Sequence, residues 1–326
     1  MKSKILSALR AKKDYVSGQE LCGQFGVTRA AIWKGIQQLR EEGYEIEAVQ
    51  NKGYRLVAAP DTVSGAELKS RMETAWAGQE LVYLDTVDST NDYVKKLAEQ
   101  GAPHGTLVVA DYQSGGKGRR GRAWITPHGT TIAMSILIRP QIRPEKASML
   151  TLVVGMAAAK AVCEVTGLDV QIKWPNDLVI HGKKLSGTLT EMSAEMEGIH
   201  YVVIGTGINA NITEFPEELK GIASSLQLEL GHPVDRGAII CTCMKYFEDY
   251  YEKFIGTQDM SLLVGEYQKF LANMDRQVRV LDPAGEYTGI ARGIDELGQL
   301  LVEKEDGILT KVYAGEVSVR GIYQYC

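Results

Sequence analysis

The chain has no apolar run approaching the length of a membrane span. Its first residues, MKSKILSALRAKK, are basic but lack a continuous apolar stretch and a cleavage site. The sequence therefore reads neither as a spanning protein nor as one with a secretory leader. Cysteine is sparse, scattered and odd in number: Cys22, Cys163, Cys241, Cys243 and Cys326. That usage argues against a disulfide framework and for reduced thiols, with a cytoplasmic location expected. Cys241 and Cys243 are the one close pair; with no histidine near them they suit helix packing, and no metal ligand set is expected. The phosphate-cradling pattern G-x-x-x-x-G-K-[ST] is missing too. G-x-G-x-x-G does occur, at Gly116, Gly118 and Gly121, but Thr130 to Arg139 that follow are β-branched and apolar. A dinucleotide fingerprint needs a helix opening at the loop, so that reading is excluded.

What stands there instead is dense in charge. Gly115-Gly116-Lys117-Gly118-Arg119-Arg120-Gly121-Arg122-Ala123-Trp124 follows the apolar run Thr106 to Ala110. Glycines allow close backbone approach, arginine forks suit phosphate or carboxylate oxygens, and Trp124 offers a face for a base. These residues predict a loop that closes over an anionic, adenine-bearing group. A solvated basic turn is the plainer alternative.

At 326 residues and 44% hydrophobic content, the chain can hold two or three domains. Residues 1–60 carry ten Lys/Arg against six Asp/Glu, or +4; the remainder carries 26 against 35, or −9. A basic front on an acidic protein points to a nucleic-acid-binding unit. Residues 3–13 suit a helix. Ser17 with Glu20 three positions on reads as a capping box opening a second helix that stops at Gly26. Thr28 caps a third, whose Ala31, Ile32, Ile36 and Leu39 form an apolar stripe. Residues 44–57 alternate around Asn51-Lys52-Gly53 like a hairpin wing. This is a winged helix-turn-helix pattern over 1–60. Arg29, Trp33, Lys34 and Gln37 face outward, and Lys52 and Arg55 lie on the wing; phosphates would meet Arg29, Lys34, Lys52 and Arg55, and bases Gln37 or Arg29. Such modules also bind proteins, but the basic face favours operator DNA, bound as a dimer on two half-sites.

Beyond the break at Ala58-Ala59-Pro60-Asp61, strands and helices mingle. Ser89-Thr90-Asn91 opens a helix after the strand Leu81 to Asp85; the three side chains are either a plain N-cap or a site for a polar heteroatom ring. A long buried helix is expected over 145–166. Val170 to Trp174 reads as a strand running into Lys173-Trp174-Pro175-Asn176-Asp177, and Leu178 to Ile180 as another. A turn at 181–183 precedes Lys184-Leu185-Ser186-Gly187-Thr188. Tyr201 to Thr206 reads as a strand closed by Gly205-Thr206-Gly207-Ile208-Asn209. Helical patterns occupy roughly 236–254 and 260–272. From Arg276 onward five short strands alternate with turn residues, the last over 317–322, as in a small barrel.

The segments Asp88-Ser89-Thr90-Asn91, Tyr112-Gln113, the basic loop, Lys173–Asp177, Lys183–Gly187 and Gly205–Asn209, in this order and spacing, resemble the biotin–protein ligase family over nearly the whole chain. With the front unit, the likeness is to its bifunctional branch that also represses the biotin operon. The resemblance implies an α+β protein in three parts. These are a winged helix-turn-helix (1–60), a mixed sheet with helices related to class II aminoacyl-tRNA synthetases (66–272), and an SH3-like β-barrel (273–326). It implies ATP, biotin and Mg²⁺ as cofactors and substrates. Implied partners are the biotin carboxyl carrier domain of acetyl-CoA carboxylase or pyruvate carboxylase, operator DNA, and a second copy when biotinyl-5′-adenylate is bound. By the same resemblance Lys184 and Arg119 are catalytic. Ser89, Thr90, Asn91, Gln113, Lys117, Gly118, Arg119 and Lys184 would bind biotin, and Arg119, Arg120, Arg122, Trp124, Asn176 and Asn209 would bind ATP. The family loop commonly begins with arginine where this chain has Lys117, which keeps the charge and loses the fork. A lipoate ligase of related fold and a ligand sensor without catalysis are the competing readings.

Overall fold

The computed structural model describes residues 1–12, 14–195, 198–282, 285–313 and 318–321. Cys326, Pro283 and Ala284 of the expected turn, and Val317 and Ile322 at the ends of the last expected strand lie outside the described residues.

The front unit forms α1 (Lys2–Ala11), α2 (Gly18–Phe25), α3 (Arg29–Glu41) and a hairpin of β1 (Glu45–Val49) and β2 (Gly53–Ala58). Its caps follow from local chemistry. Ser17 Oγ accepts from the Glu20 amide at 3.0 Å, and Thr28 Oγ1 from the Ala31 amide at 3.3 Å; Gly26 ends α2 at φ +65°. The Glu20 carboxylate pairs with Lys12 at 3.0 Å, so it serves as an ion-pair partner beside its amide's cap bond. Ile5, Leu6, Leu9, Leu21, Ile32, Ile36, Leu39 and Ile46 close a separate core.

α4 (Gly65–Arg71) leads into a seven-stranded mixed sheet. In chain order its strands are β3 (Leu81–Val87), β4 (Leu107–Gln113), β5 (Thr131–Ile138), β6 (Gln171–Lys173), β7 (Asp177–Ile180), β8 (Lys183–Glu195) and β9 (Gly198–Asn209). In space they run β3-β4-β5-β9-β8-β7-β6, with β3 and β4 parallel and every other pair antiparallel. α5 (Thr90–Glu99) packs on one face through Val94 and Ala98 against Val108, Leu137 and Val203. α6 (Met149–Thr166) and α8 (Arg236–Thr257) belong to the main core with Val109, Ile136 and Ile204. The stretch Pro144–Thr166 is long and apolar enough to cross a membrane by composition, which the sequence reading overlooked. Twelve residues of α6 are buried within the protein, so its apolarity is that of a core helix.

Several features of this unit differ from expectation, the unanticipated α4 among them. β9 continues to Asn209 instead of ending in a turn at its glycines. These glycines serve packing: a Cβ on Gly205 would stand 2.1 Å from Asn91 Oδ1, and one on Gly207 2.5 Å from the Trp124 ring. The short α7 (Leu226–Leu230) was not expected.

After α9 (Val264–Phe270), β10 (Gln277–Leu281), β11 (Tyr287–Ile294), β12 (Leu300–Glu303), β13 (Leu309–Val312) and β14 (Ser318–Gly321) make an antiparallel sheet ordered β13-β12-β11-β10-β14. No pairing between β13 and β14 closes it into a barrel among the described residues. The sheet touches the central unit where the fully buried Trp174 donates its indole N–H to the Gly298 carbonyl at 3.0 Å.

Two polar centres hold the front unit and its connecting segment to the rest. Glu67 on α4, 1% exposed, accepts from Arg10 of α1, Arg71 of α4 and the Tyr44 hydroxyl, each at 2.6 Å. Arg236, 2% exposed, pairs with Asp61 of the connecting segment at 2.9 Å and with Asp111 of β4 at 2.8 Å. Asn211 donates to the same Asp61 at 2.8 Å.

Candidate active site

One open cleft of about 440 Å³ gathers Ser89, Thr90, Asn91, Gln113, the basic loop, Asn176, Lys184 and Asn209. Every residue that the resemblance implicates in biotin or ATP binding lines this cleft. Its neutral part begins at the N-terminus of α5, where Ser89 Oγ caps the Asp92 amide. The Thr90 amide and hydroxyl both donate to Gln113 Oε1, at 2.9 and 3.0 Å. Gln113 Nε2 donates to Thr126 at 3.2 Å, which fixes the amide's orientation and leaves its second N–H for a ligand. Asn91 is committed inward: Nδ2 donates to the Leu189 carbonyl and to Glu191 at 2.8 Å, and Oδ1 accepts from Ser135 at 2.6 Å. Such a set of small, buried donors and acceptors suits a compact polar ring whose own groups need partners once desolvated.

The cationic part is built by the loop. Gly118 N–H bonds the Arg122 carbonyl at 2.7 Å and Trp124 N–H the Gly116 carbonyl at 2.8 Å, a twisted hairpin of the loop's own making. Arg120 and Gly121 take positive φ, +58° and +72°, at its tip. Arg119 donates to Asn176 Oδ1 at 2.8 Å, and Asn176 donates to the Thr188 carbonyl at 3.1 Å. Lys184 lies 2.6 Å from Asp177 and 5.8 Å from the centre of the Trp124 ring. Trp124 Nε1 is buried with no hydrogen-bond partner among the described residues, a donor that a ligand acceptor can satisfy. Asn209 holds the Ser224 carbonyl at 3.0 Å and thereby fixes the segment 212–223, part of which borders the cleft.

Sequence reasoning passed over several residues here. Ser135, fully buried, was visible as the polar residue in the middle of the run TIAMSILI. Asp177 closes the Lys173–Asp177 motif but had no role assigned to it; Glu191, which holds Asn91 from behind, and the segment around Glu214, Phe215 and Pro216 at the cleft carried no local signal. Within the described residues no group of three His, Cys, Asp or Glu is arranged to hold a metal ion.

On the front unit, Arg29, Trp33 and Lys34 are exposed on α3 and Lys52 is exposed at the wing, while Gln37 is half-buried. Arg29 donates to Gln19 at 2.9 Å. Arg55 is bound to Glu47 at 2.7 Å and lies over the Tyr15 ring at 4.9 Å, so its charge is already compensated.

Residues 83–209 match the Biotin/lipoate A/B protein ligase family, residues 2–55 an HTH domain, and residues 274–320 the Biotin protein ligase C terminal domain. The chain is 39% identical over 314 residues to the Bifunctional ligase/repressor BirA of Bacillus subtilis (strain 168), covering 95% of each chain. The chain belongs to the biotin–protein ligase family. It is also 31% identical to the Bifunctional ligase/repressor BirA of Escherichia coli (strain K12), over 97% of this chain and 96% of that one. Among solved structures, the biotin protein ligase from Aquifex aeolicus in complex with biotin and ATP superposes with a TM-score of 0.65 at 31% identity. It covers 74% of this chain and 99% of that one. The neutral and the cationic residues described above line one cleft of this fold.

Proposed function

We propose that the cleft activates biotin with ATP and passes it to protein. The chain is an ATP-dependent biotin–protein ligase and a repressor of the biotin operon. The observation that carries this reading is a single cleft holding a polar set (buried Ser89 and Thr90 with half-buried Gln113), a Trp-covered arginine loop and Lys184. In the first step a biotin carboxylate oxygen attacks the α-phosphorus of ATP. The new P–O bond forms as the bond to pyrophosphate breaks, and the electron pair leaves with pyrophosphate. In the second, a carrier lysine amine attacks the acyl carbon of biotinyl-5′-adenylate, forming an amide, expelling AMP and releasing a proton.

Both steps gather negative charge on phosphate oxygens, where fixed cations act most strongly. Lys184 bridges the carboxyl oxygen and the α-phosphate, and Arg119, steadied by Asn176, joins it. Arg120 and Arg122 hold the outer phosphates, Lys117 and the Gly118 backbone meet the biotin carboxylate, and Trp124 covers adenine beside Asn209. Thr90 and Gln113 pair the ureido ring; Ser89 frames it, and Asn91 supports it from behind. The carboxylates bordering the cleft are Asp177, Glu214 and Glu218, and Asp177 is bound to Lys184. Mg²⁺ therefore fits best as a nucleotide-borne ion held mainly by phosphate oxygens, supplying charge neutralisation.

The reading assigns operator contact to residues 1–60, through Arg29, Trp33, Lys34, Gln37 and Lys52, with Arg55 stiffening the wing. Residues 66–272 carry ligation, with a plan shared with class II aminoacyl-tRNA synthetases. Residues 273–326 form an SH3-like unit that supports the cleft. Acceptors are carrier domains of acetyl-CoA carboxylase and pyruvate carboxylase, the location is cytoplasmic, and the adenylate promotes a homodimer on DNA. ATP–pyrophosphate exchange with biotin, lipoate or neither tests the reading. Exchange should require biotin and fall by about a hundredfold or more in Lys184→Ala. Exchange supported by lipoate alone, or by neither acid, overturns it.

A further inference from the structure

The charges around the start of α5 are ordered. Lys117 Nζ donates to Asp92 Oδ2 at 2.5 Å, and Lys95 Nζ reaches Asp92 Oδ1 at 3.3 Å and Glu191 Oε1 at 2.5 Å. The other oxygen of Glu191 accepts from Asn91. Signs alternate along Lys117–Asp92–Lys95–Glu191, a path from the basic loop to β8 that passes the residues of the neutral pocket. Asp92 sits in the first turn of α5, where the helix dipole favours a carboxylate. Burial works to raise its carboxyl, but hydrogen bonds from Lys117 and Lys95 outweigh it and hold the group below its ordinary value.

The loop's first residue is held by its backbone, Gly115 N–H to the Asp88 carbonyl at 2.8 Å, and beyond it the backbone is bonded to itself through Gly118–Arg122 and Gly116–Trp124, so the placement of residues 116–124 depends on side-chain anchors. Arg119 to Asn176 is one; Lys117 to Asp92 is another, on the helix that presents Ser89, Thr90 and Asn91. Lysine at this position is the chain's departure from the common family pattern. It contributes a point charge whose hold depends on its partner's charge and on ionic strength.

We propose that Asp92 is a positioning residue of the basic loop: by tethering Lys117 it sets how closely residues 115–124 close over the cleft. The consequence for ligand release rests on the ligase reading above, whereas the tether itself does not. Both partners are partly exposed, 53% for Lys117 and 24% for Asp92, so the pair is worth a factor of about three to five in loop closure.

The tether is tested on the ligand-free full chain by the initial rate of tryptic cleavage after Arg122. Asp92→Lys should raise that rate by about three- to tenfold, and Asp92→Glu should keep it near the parent value. Asp92→Lys combined with Lys117→Glu should restore it. Equal rates for the parent and Asp92→Lys, or a rise that the reversed pair does not repair, overturn the tether. With biotin and ATP bound, release of the adenylate should quicken with salt in the parent and show a weaker salt dependence in Asp92→Asn, where the charged contacts to the ligand remain. Identical salt dependence in both proteins counts equally against the tether. Should neither biotin nor ATP bind, the ligase reading fails, and the cleavage rates still decide the tether.

Discussion

Replacing Glu67 with glutamine keeps the side chain's volume and removes its charge from a centre that three donors depend on. The carboxylate is 1% exposed and accepts from Arg10, Arg71 and Tyr44. Burial, and next the bond to Glu67, push the Tyr44 hydroxyl well above its ordinary value, so it remains a donor throughout the neutral range. Removing one partner of a buried ion pair costs about 3–5 kcal/mol when the other charge is left uncompensated. Here Arg71 keeps Asp235 at 2.6 Å, and the arginines are 25% and 15% exposed. Those facts bring the expected cost below that range, to ~2–3 kcal/mol. Arg10 and Tyr44 belong to the front unit and Glu67 to α4, so the loss falls on the mounting of one unit upon the other. Scanning calorimetry of Glu67→Gln should show an earlier transition for the front unit, by about 8 °C or more given the 4–8 °C per kcal/mol of a small domain. Proteolysis in the connecting segment 58–64 should quicken in parallel, while pyrophosphate exchange stays near the parent level. A thermal profile unchanged within about 1 °C, with the connecting segment equally resistant, refutes the idea that Glu67 secures the front unit.

Alanine at the two β9 glycines should separate the substrates. Gly207→Ala pushes on Trp124 and should raise the KM for ATP by about tenfold, within the ~1–3 kcal/mol that base stacking contributes. Gly205→Ala displaces Asn91 and should raise the KM for biotin instead; a matching rise in both constants for either variant counts against these assignments. Acid stability should depend on Asp111. Burial tends to raise its carboxyl, yet hydrogen bonds from His128, Arg236 and the Gly129 amide prevail and hold it below the ordinary value. A depressed folded value means stability present above the unfolded pKa of about 3.9 and lost as pH falls through the folded one. Urea midpoints of Asp111→Asn should accordingly fall less steeply than the parent's below about pH 4, and parallel profiles would speak against this pairing.

Local chemistry made much of the fold legible. Ser17 and Thr28 announce their helices because a cap acts within three residues, and β10 appears at its expected limits because turn residues bracket an alternating run. Gly205 and Gly207 misled for the same reason: glycine usually punctuates a strand, whereas here its missing Cβ makes room for Asn91 and Trp124, both more than 80 residues away in the chain. The cleft was readable where a motif concentrates chemistry in a few adjacent positions, as in the basic loop and Ser89-Thr90-Asn91. Asp92, Glu191 and the Asp61–Arg236–Asp111 centre were not, because an isolated acid or arginine has no signature until the chain returns to it across up to 175 residues. The buried helix expected over 145–166 appears as α6, with twelve of its residues buried.

The hydrogen bond from Trp174 to the Gly298 carbonyl has a consequence for how such chains are inherited and recombined. The indole begins the Trp174–Asp177 stretch beside the cleft, whereas its acceptor lies in a turn of the last sheet. Gly298 itself takes φ +71°, where a Cβ is strained and would stand 2.7 Å from the end of the Leu152 side chain. A chimera exchanged near residue 272 splits a lock from its key, so both halves must come from one parent or be matched by selection. An exchange at the DNA-reading end faces the same demand through Glu67, whose partners Arg10 and Tyr44 lie on the other side of the connecting segment.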